Sequence, residues 1–144
     1  MNLAELLSWS GLDVLDHLER EVAVPVVDGL QAQGDLIVIP LDMLGAILLW
    51  GSGRWQPVPP SGVELVRGEG GNNPHTLVAD VGTCHWTNGF RDATGLAIAV
   101  VDNTAPAYLV HPEHGGSGIA PGRWLVRRQQ ERGVGLRGAV LVAD

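Results

Sequence analysis

At 144 residues the chain has the length of one ordinary domain and can bury roughly two-thirds of its unfolded surface. Hydrophobic residues make up 45% of it and charged residues 17%, which sets it apart from intrinsically disordered chains. Nine basic residues, all arginine, stand against 16 acidic ones, and the net charge of -7 argues against extended nucleic-acid binding, which depends on many basic phosphate contacts. The charge is uneven: residues 1–60 hold eight acids and two arginines, residues 117–144 five arginines and two acids. No run reaches the roughly 18 apolar residues of a membrane span. The opening MNLAELLSWSGLD lacks the basic start and apolar run of a secretory signal, so the expected setting is the cytoplasm. A single cysteine, Cys84, removes an intrachain disulfide and a multi-cysteine zinc site.

In chain order, the first segment reads as helical over 3–21. Leu3, Leu6, Leu7 and Trp9 begin an apolar face, Gly11 weakens it, and Leu15, Leu18 and Val22 resume it beside Asp16, Glu19, Arg20 and Glu21. His17 lies on the polar side of this packing segment. From Val22 the period shortens. Val22–Val27, Leu36–Ile39 and Ala46–Trp50 are short apolar runs, separated by Asp28-Gly29, Gly34-Asp35 and Gly51-Ser52-Gly53. Pro57, Pro59, Pro60 and Gly62 form a rigid connection too short to divide domains. Val63–Arg67, Thr76–Ala79, Leu96–Val101, Ala107–Val110, Arg123–Arg128 and Ala139–Val142 continue the strand pattern. Asp102-Asn103 reads as a turn, and Gly115, Gly116 and Gly118 as a loop. With 20 glycines, this predicts a single mainly β domain over 1–144, a barrel or small sandwich with the helical segment packed outside a β-rich body at 22–144. Gly68, Gly70 and Gly71 lack the strand, glycine spacing and long helix of a nucleotide fingerprint.

Two segments concentrate the chemistry: RGEGGNNPHTL at 67–77, and YLVHPEHGGSGIAPGRWLVRRQQE at 108–131. His111 and His114 flank Pro112-Glu113 at the end of a strand, where a turn can aim both imidazoles into one pocket. With His75, and with Glu69 or Glu113 as an oxygen donor or proton carrier, they form a candidate site for a divalent transition metal (Zn, Fe, Mn or Ni) or for acid–base work. The competing reading is a structural network hydrogen-bonded to loop carbonyls. Cys84-His85 is no nucleophile–base pair, because neighbours on a strand face opposite ways. Trp50 and Trp124 read as core, and Trp55, beside Arg54, as surface. The aromatics, Trp86 and Tyr108 included, are the material for an organic ligand's wall or a protein interface. Arg127, Arg128 and Arg132 suit a carboxylate or an acidic partner, the acidic half of a second copy included.

These two blocks resemble a family of small bacterial proteins with a cupin-like β architecture. Their first block reads close to Gly-Glu, a spacer and Gly-His-x-His; their second reads like His-x-Glu-His, Pro-Gly-x-Tyr and Arg-Gln-x-Glu. The likeness spans residues 57–131. It implies that the first histidine position falls on Asn73, the second on His75, the later pair on His111 and His114, and the aromatic on Trp124. Asn73 is a departure, since a neutral amide oxygen is a weaker transition-metal ligand than imidazole. The resemblance supports the barrel more than it supports an enzyme.

The leading expectation is a non-catalytic module that binds a small molecule or a protein at a histidine-lined loop pocket, with neither extended nucleic-acid binding nor a membrane role, and with a homo-oligomer left open. The alternative is a metal-dependent cupin-like enzyme acting on a small organic substrate, with His75, His111 and His114 as ligands and Glu69 or Glu113 as base.

Overall fold

The computed structural model describes residues 1–44, 48–49, 54–67, 73–91, 96–132 and 139–141. The chain is mainly β with one N-terminal helix. Helix α1 (Leu3–Ser10) is followed by β1 (Val26–Val27), β2 (Gln31–Gln33), β3 (Leu36–Pro40), a 3-10 turn at Leu41–Met43, β4 (Leu48–Leu49), β5 (Gln56–Pro57), β6 (Val63–Arg67) and β7 (Pro74–Val78). Then come β8 (Cys84–Thr87), β9 (Phe90–Arg91), β10 (Ala97–Asn103), β11 (Ala107–His111), β12 (Gly115–Ile119), β13 (Gly122–Arg128), β14 (Gln130–Arg132) and β15 (Ala139–Leu141).

Two larger sheets carry the fold. One runs β1-β12-β11-β7-β6, the other β2-β3-β13-β10-β8-β5; β4 pairs with β9 and β14 with β15. Neither large sheet closes into a barrel among the described residues. They share one apolar core instead: Leu77, Ala107, Leu109 and Ile119 from the first sheet meet Leu36, Val38, Val101, Trp124 and Val126 from the second. Alternation along each strand explains this. On β11, Ala107 and Leu109 point into the shared core, while Tyr108 and Val110 point out to a second cluster with Leu3, Leu6, Leu7, Val14, Val24 and Val78.

The helix is much shorter than the predicted 3–21. A reciprocal capping box starts it, the Glu5 amide donating to Asn2 Oδ1 at 2.8 Å and the Asn2 amide to Glu5 Oε1 at 3.1 Å. Gly11 ends it in the left-handed region at φ 74°, its amide closing on the Leu7 carbonyl. Residues beyond Gly11 turn back, and the Leu3 and Ala4 amides bond to the Val22 and Arg20 carbonyls. Leu3, Leu6 and Leu7 are buried, each worth about 1.5–3 kcal/mol relative to exposure. Trp9, expected on the same apolar face, is 41% exposed and meets Tyr108 edge-on.

The glycines of 115–118 are strand, not loop. β12 lies between β11 and the short parallel strand β1, and its glycines allow close approach. A Cβ on Gly116 would sit 2.5 Å from Leu6 Cδ2; one on Gly118 would sit 2.7 Å from the Pro25 carbonyl oxygen and 2.9 Å from Val26 Cα. The Gly118 contacts are backbone, which cannot swing away. Gly118→Ala is therefore expected to pry β1 from β12 and cost about 1–3 kcal/mol in urea unfolding. A midpoint within error of the parent would refute that packing account. Asp102-Asn103 is likewise the end of β10 and not a turn. Asn103 is buried, and its Nδ2 donates to the carbonyls of Ala105, Ile119 and Ala120, pinning the two sheets together.

Candidate functional site

His75 and His111 share the face of the first sheet that carries Leu77 and Leu109 into the core. The β7–β11 register, Leu109 opposite Leu77 and Val110 opposite Thr76, continues to place His111 across from His75. Both side chains are fully buried at the end of the inter-sheet space. His114 lies in the turn between β11 and β12 and is exposed. The ring centroids are 4.3 Å apart for His75–His111 and 4.5 Å for His111–His114; His75 and His114 lie 6.5 Å apart with planes 6° from parallel. The three imidazoles thus form a ladder from core to solvent.

The second sheet supplies the partners. Gly34, at φ 56°, opens the tight turn of the β2–β3 hairpin, in which Gln33 pairs with Leu36. The turn delivers Gln33 and Asp35, both buried, onto His75: Gln33 Oε1 is 3.0 Å from Nδ1 and Asp35 Oδ1 is 3.0 Å from Nε2. The Gln33 amide orientation is fixed because its Nε2 donates to the Leu109 carbonyl and to Ser117 Oγ, both at 3.0 Å. Gln33 Oε1 therefore accepts from His75 Nδ1, and the Asp35 carboxyl oxygen faces Nε2.

His111 is held differently. Its Nδ1 accepts from the backbone amides of Glu113 at 3.0 Å and His114 at 3.2 Å, so a neutral ring carries its proton on Nε2. The same bonds wind the turn tightly, and the Leu15 amide clasps it from outside through the Pro112 carbonyl at 2.8 Å. Asn73 Nδ2 donates to Glu113 Oε1 at 2.7 Å, bridging the start of β7 to the turn.

The structure thus brings His75, His111 and His114 together, with Asn73 and Glu113 at the rim. Glu69 lies outside the described residues, as does Trp50. Among the described residues, no group of three or more His, Cys, Asp or Glu is placed to hold a metal ion. The physical reason is that both His75 nitrogens and His111 Nδ1 are turned to protein partners. A metal at either would displace hydrogen bonds inside a buried region. The sequence reading missed Gln33 and Asp35 by treating Gly34-Asp35 as turn punctuation. The overlooked signal was Gln31 and Gln33 at alternate positions of a strand with no apolar face.

The other candidates fall elsewhere. Cys84 is 1% exposed on β8, and its neighbour His85 is exposed. Burial first, and then the Asp102 charge, push the Cys84 thiol up to about 12. It is expected to stay unmodified by a thiol-exchange reagent at pH 8 until the protein is denatured; full labelling of the native protein would contradict this. Trp124 is buried at 2% exposure and donates to the Ala120 carbonyl. Trp55 is 37% exposed with the Arg123 guanidinium 5.9 Å from its ring centroid, and Trp86 is half-buried. No helix among the described residues is long and apolar enough to cross a membrane.

A family model described as "Domain of unknown function (DUF8820)" matches residues 32–129, a span that includes every member of the ladder and its Gln33–Asp35 clasp. No curated protein and no solved structure matches the chain.

Proposed function

We propose that this chain, which belongs to the DUF8820 family, is a non-catalytic binding module that presents the solvent end of the imidazole ladder, His114 with Asn73 and Glu113, to a small molecule or a partner protein. One observation carries this reading: the inner rings are held by protein acceptors and backbone amides, while the outer ring is exposed and lies 4.5 Å from a buried neighbour, tilted 34° to it. A flat, polar ring on a rigid turn loses little conformational entropy on binding, and preorganisation of this kind favours recognition. The same lock turns both His75 nitrogens and His111 Nδ1 away from a metal or a general-base role. Kinship with cupin-like proteins belongs to the proposal as well. It is supported by the two similar sequence blocks meeting side by side on β7 and β11.

The test is a thermal-shift and NMR screen of the purified protein against small molecules and cell extract, repeated on His114→Ala. The variant is expected to melt as the parent does, since its ring lies at the surface, and to lose the compounds or protein that the parent binds. Ligands held equally by His114→Ala, or turnover of a screened compound by the parent, would overturn the proposal.

A further inference from the structure

The end of α1 and the turn after β7 border a cavity of about 120 Å³, lined by Trp9, Ser10, Pro60, Val78, Asp80 and Val81. Strand parity explains the arrangement. Val78 points into the helix-side cluster with Leu3, Leu6 and Leu7, and Asp80, two positions on, returns to that side at the surface. The Thr83 amide and hydroxyl both donate to the Asp80 carbonyl, at 3.1 and 2.7 Å, and fix the turn that carries Asp80 and Val81. The 59–62 turn, which brings Pro60, is closed by the Gly62 amide on the Pro59 carbonyl at 2.8 Å. It sits so close to β7 that a Cβ on Gly62 would lie 2.8 Å from the Leu77 carbonyl oxygen. Trp9 is braced by Tyr108, edge-on with ring centroids 6.0 Å apart.

Three features of this cavity favour a positive charge. Trp9 is 41% exposed, so an occupant meets an indole, the strongest of the aromatic partners for a cation. Asp80, exposed at the rim, supplies a carboxylate. The last turn of α1, whose carbonyl end carries partial negative charge, holds no basic residue. The whole chain adds to this field with its net charge of -7. Pro60 and Val81, both exposed, give the cavity an apolar wall that a hydrated inorganic cation would not use. At about 30 Å³ per water the space equals about four waters, the room of a group of a few heavy atoms and not of a drug-sized ligand.

We infer that this cavity binds an organic ammonium group methylated at nitrogen. The charged nitrogen lies between the Trp9 ring and the Asp80 carboxylate, and its methyl groups rest on Pro60 and Val81. Such a group occurs on free amines and on methylated lysine side chains, and titration separates the two sources. The cavity lies past the C-terminal end of β7, whereas His75 stands near the start of that strand, so the inference does not rest on the function proposed for the imidazole ladder.

The experiment is an NMR titration of the full chain with tetramethylammonium chloride, beside tert-butanol as a neutral control of similar shape and potassium chloride as an inorganic cation. Tetramethylammonium is expected to shift the Trp9 indole N–H and the amides of Ser10 and residues 78–81 saturably in the millimolar range, and neither control should do so. Asp80→Asn and Trp9→Leu should each weaken binding about threefold or more. Asp42→Asn, which removes the same charge from the 3-10 turn, should leave affinity unchanged. Should Trp9→Leu fail to fold, Asp80→Asn, altered at an exposed side chain, and the parent's preference for the ammonium over tert-butanol decide the matter. A short peptide carrying trimethyllysine supports a protein source if it binds more tightly than tetramethylammonium, and a free amine if it does not. No saturable shift at these positions, tert-butanol binding as well as the ammonium, or unchanged affinity in the folded variants would overturn the inference. So would a dimer of the free protein that Trp9→Leu dissociates, because a second copy would then cover the cavity.

Discussion

Asp35→Ala is expected to lower the unfolding free energy by about 3–5 kcal/mol, the cost of removing the carboxyl group from a buried histidine–aspartate contact. The Asp35 side chain is 5% exposed and that of His75 is 0% exposed, so solvent cannot replace the lost carboxylate. Truncation removes a hydrogen bond from a ring nitrogen buried away from solvent. The damage spreads, since the hairpin turn that holds Asp35 also accepts the Gln129 amide at 2.7 Å. Asp35→Asn retains an oxygen acceptor and should cost less, about 1–3 kcal/mol. Urea unfolding of the two variants beside the parent measures both effects. If Asp35→Ala fell within about 1 kcal/mol of the parent, the clasp would contribute little to the fold.

Trp124→Ala is the other substitution expected to act strongly, with a loss of about 3–5 kcal/mol. The indole is 2% exposed and lies among Leu36, Val38, Val101 and Val126 in the shared core. Its Nε1 donates to the Ala120 carbonyl at 3.0 Å, an acceptor that truncation would leave without this donor. Gly122 stands against the same ring: a Cβ there would lie 3.3 Å from Nε1. Trp124→Phe fills most of the volume without the donor and should retain more stability than alanine. Equal losses for the two variants would mean that the hydrogen bond, not the packing, dominates.

How much of this was legible in the sequence varies with the kind of signal. Strands β3, β6, β10, β11 and β13 announce themselves through runs rich in Val, Ile and Leu, and Val63–Arg67 matches its predicted bounds at both ends. β12 does not, because Gly-Gly-Ser-Gly-Ile has almost no strand propensity. It is a strand for a tertiary reason: Leu6 and the Pro25–Val26 backbone occupy the space that side chains would need. The helix was overextended because apolar spacing resumes after Gly11, although the left-handed cap at that residue turns the chain back. At the site, the proximity of His75, His111 and His114 is legible from the two blocks, since strand parity and a short turn fix their neighbourhood. What a local pattern could not show was the direction of each ring nitrogen. That depends on Gln33 and Asp35, more than 40 positions from His75 for one and 40 for the other, arriving from the opposite sheet.

The ladder's nitrogens also offer the most direct test of the central claim, that the inner imidazoles are an internally bonded support and not a ligand set. Long-range proton–nitrogen correlation on protein labelled at the histidine side chains reads each nitrogen separately, before and after zinc is added. The account predicts that His111 Nδ1 carries a lone pair and its Nε2 a proton, that His75 Nδ1 carries a proton toward Gln33 Oε1, and that zinc leaves the signals of both residues in place. A proton on His111 Nδ1, or zinc moving His75, His111 and His114 together, would contradict it.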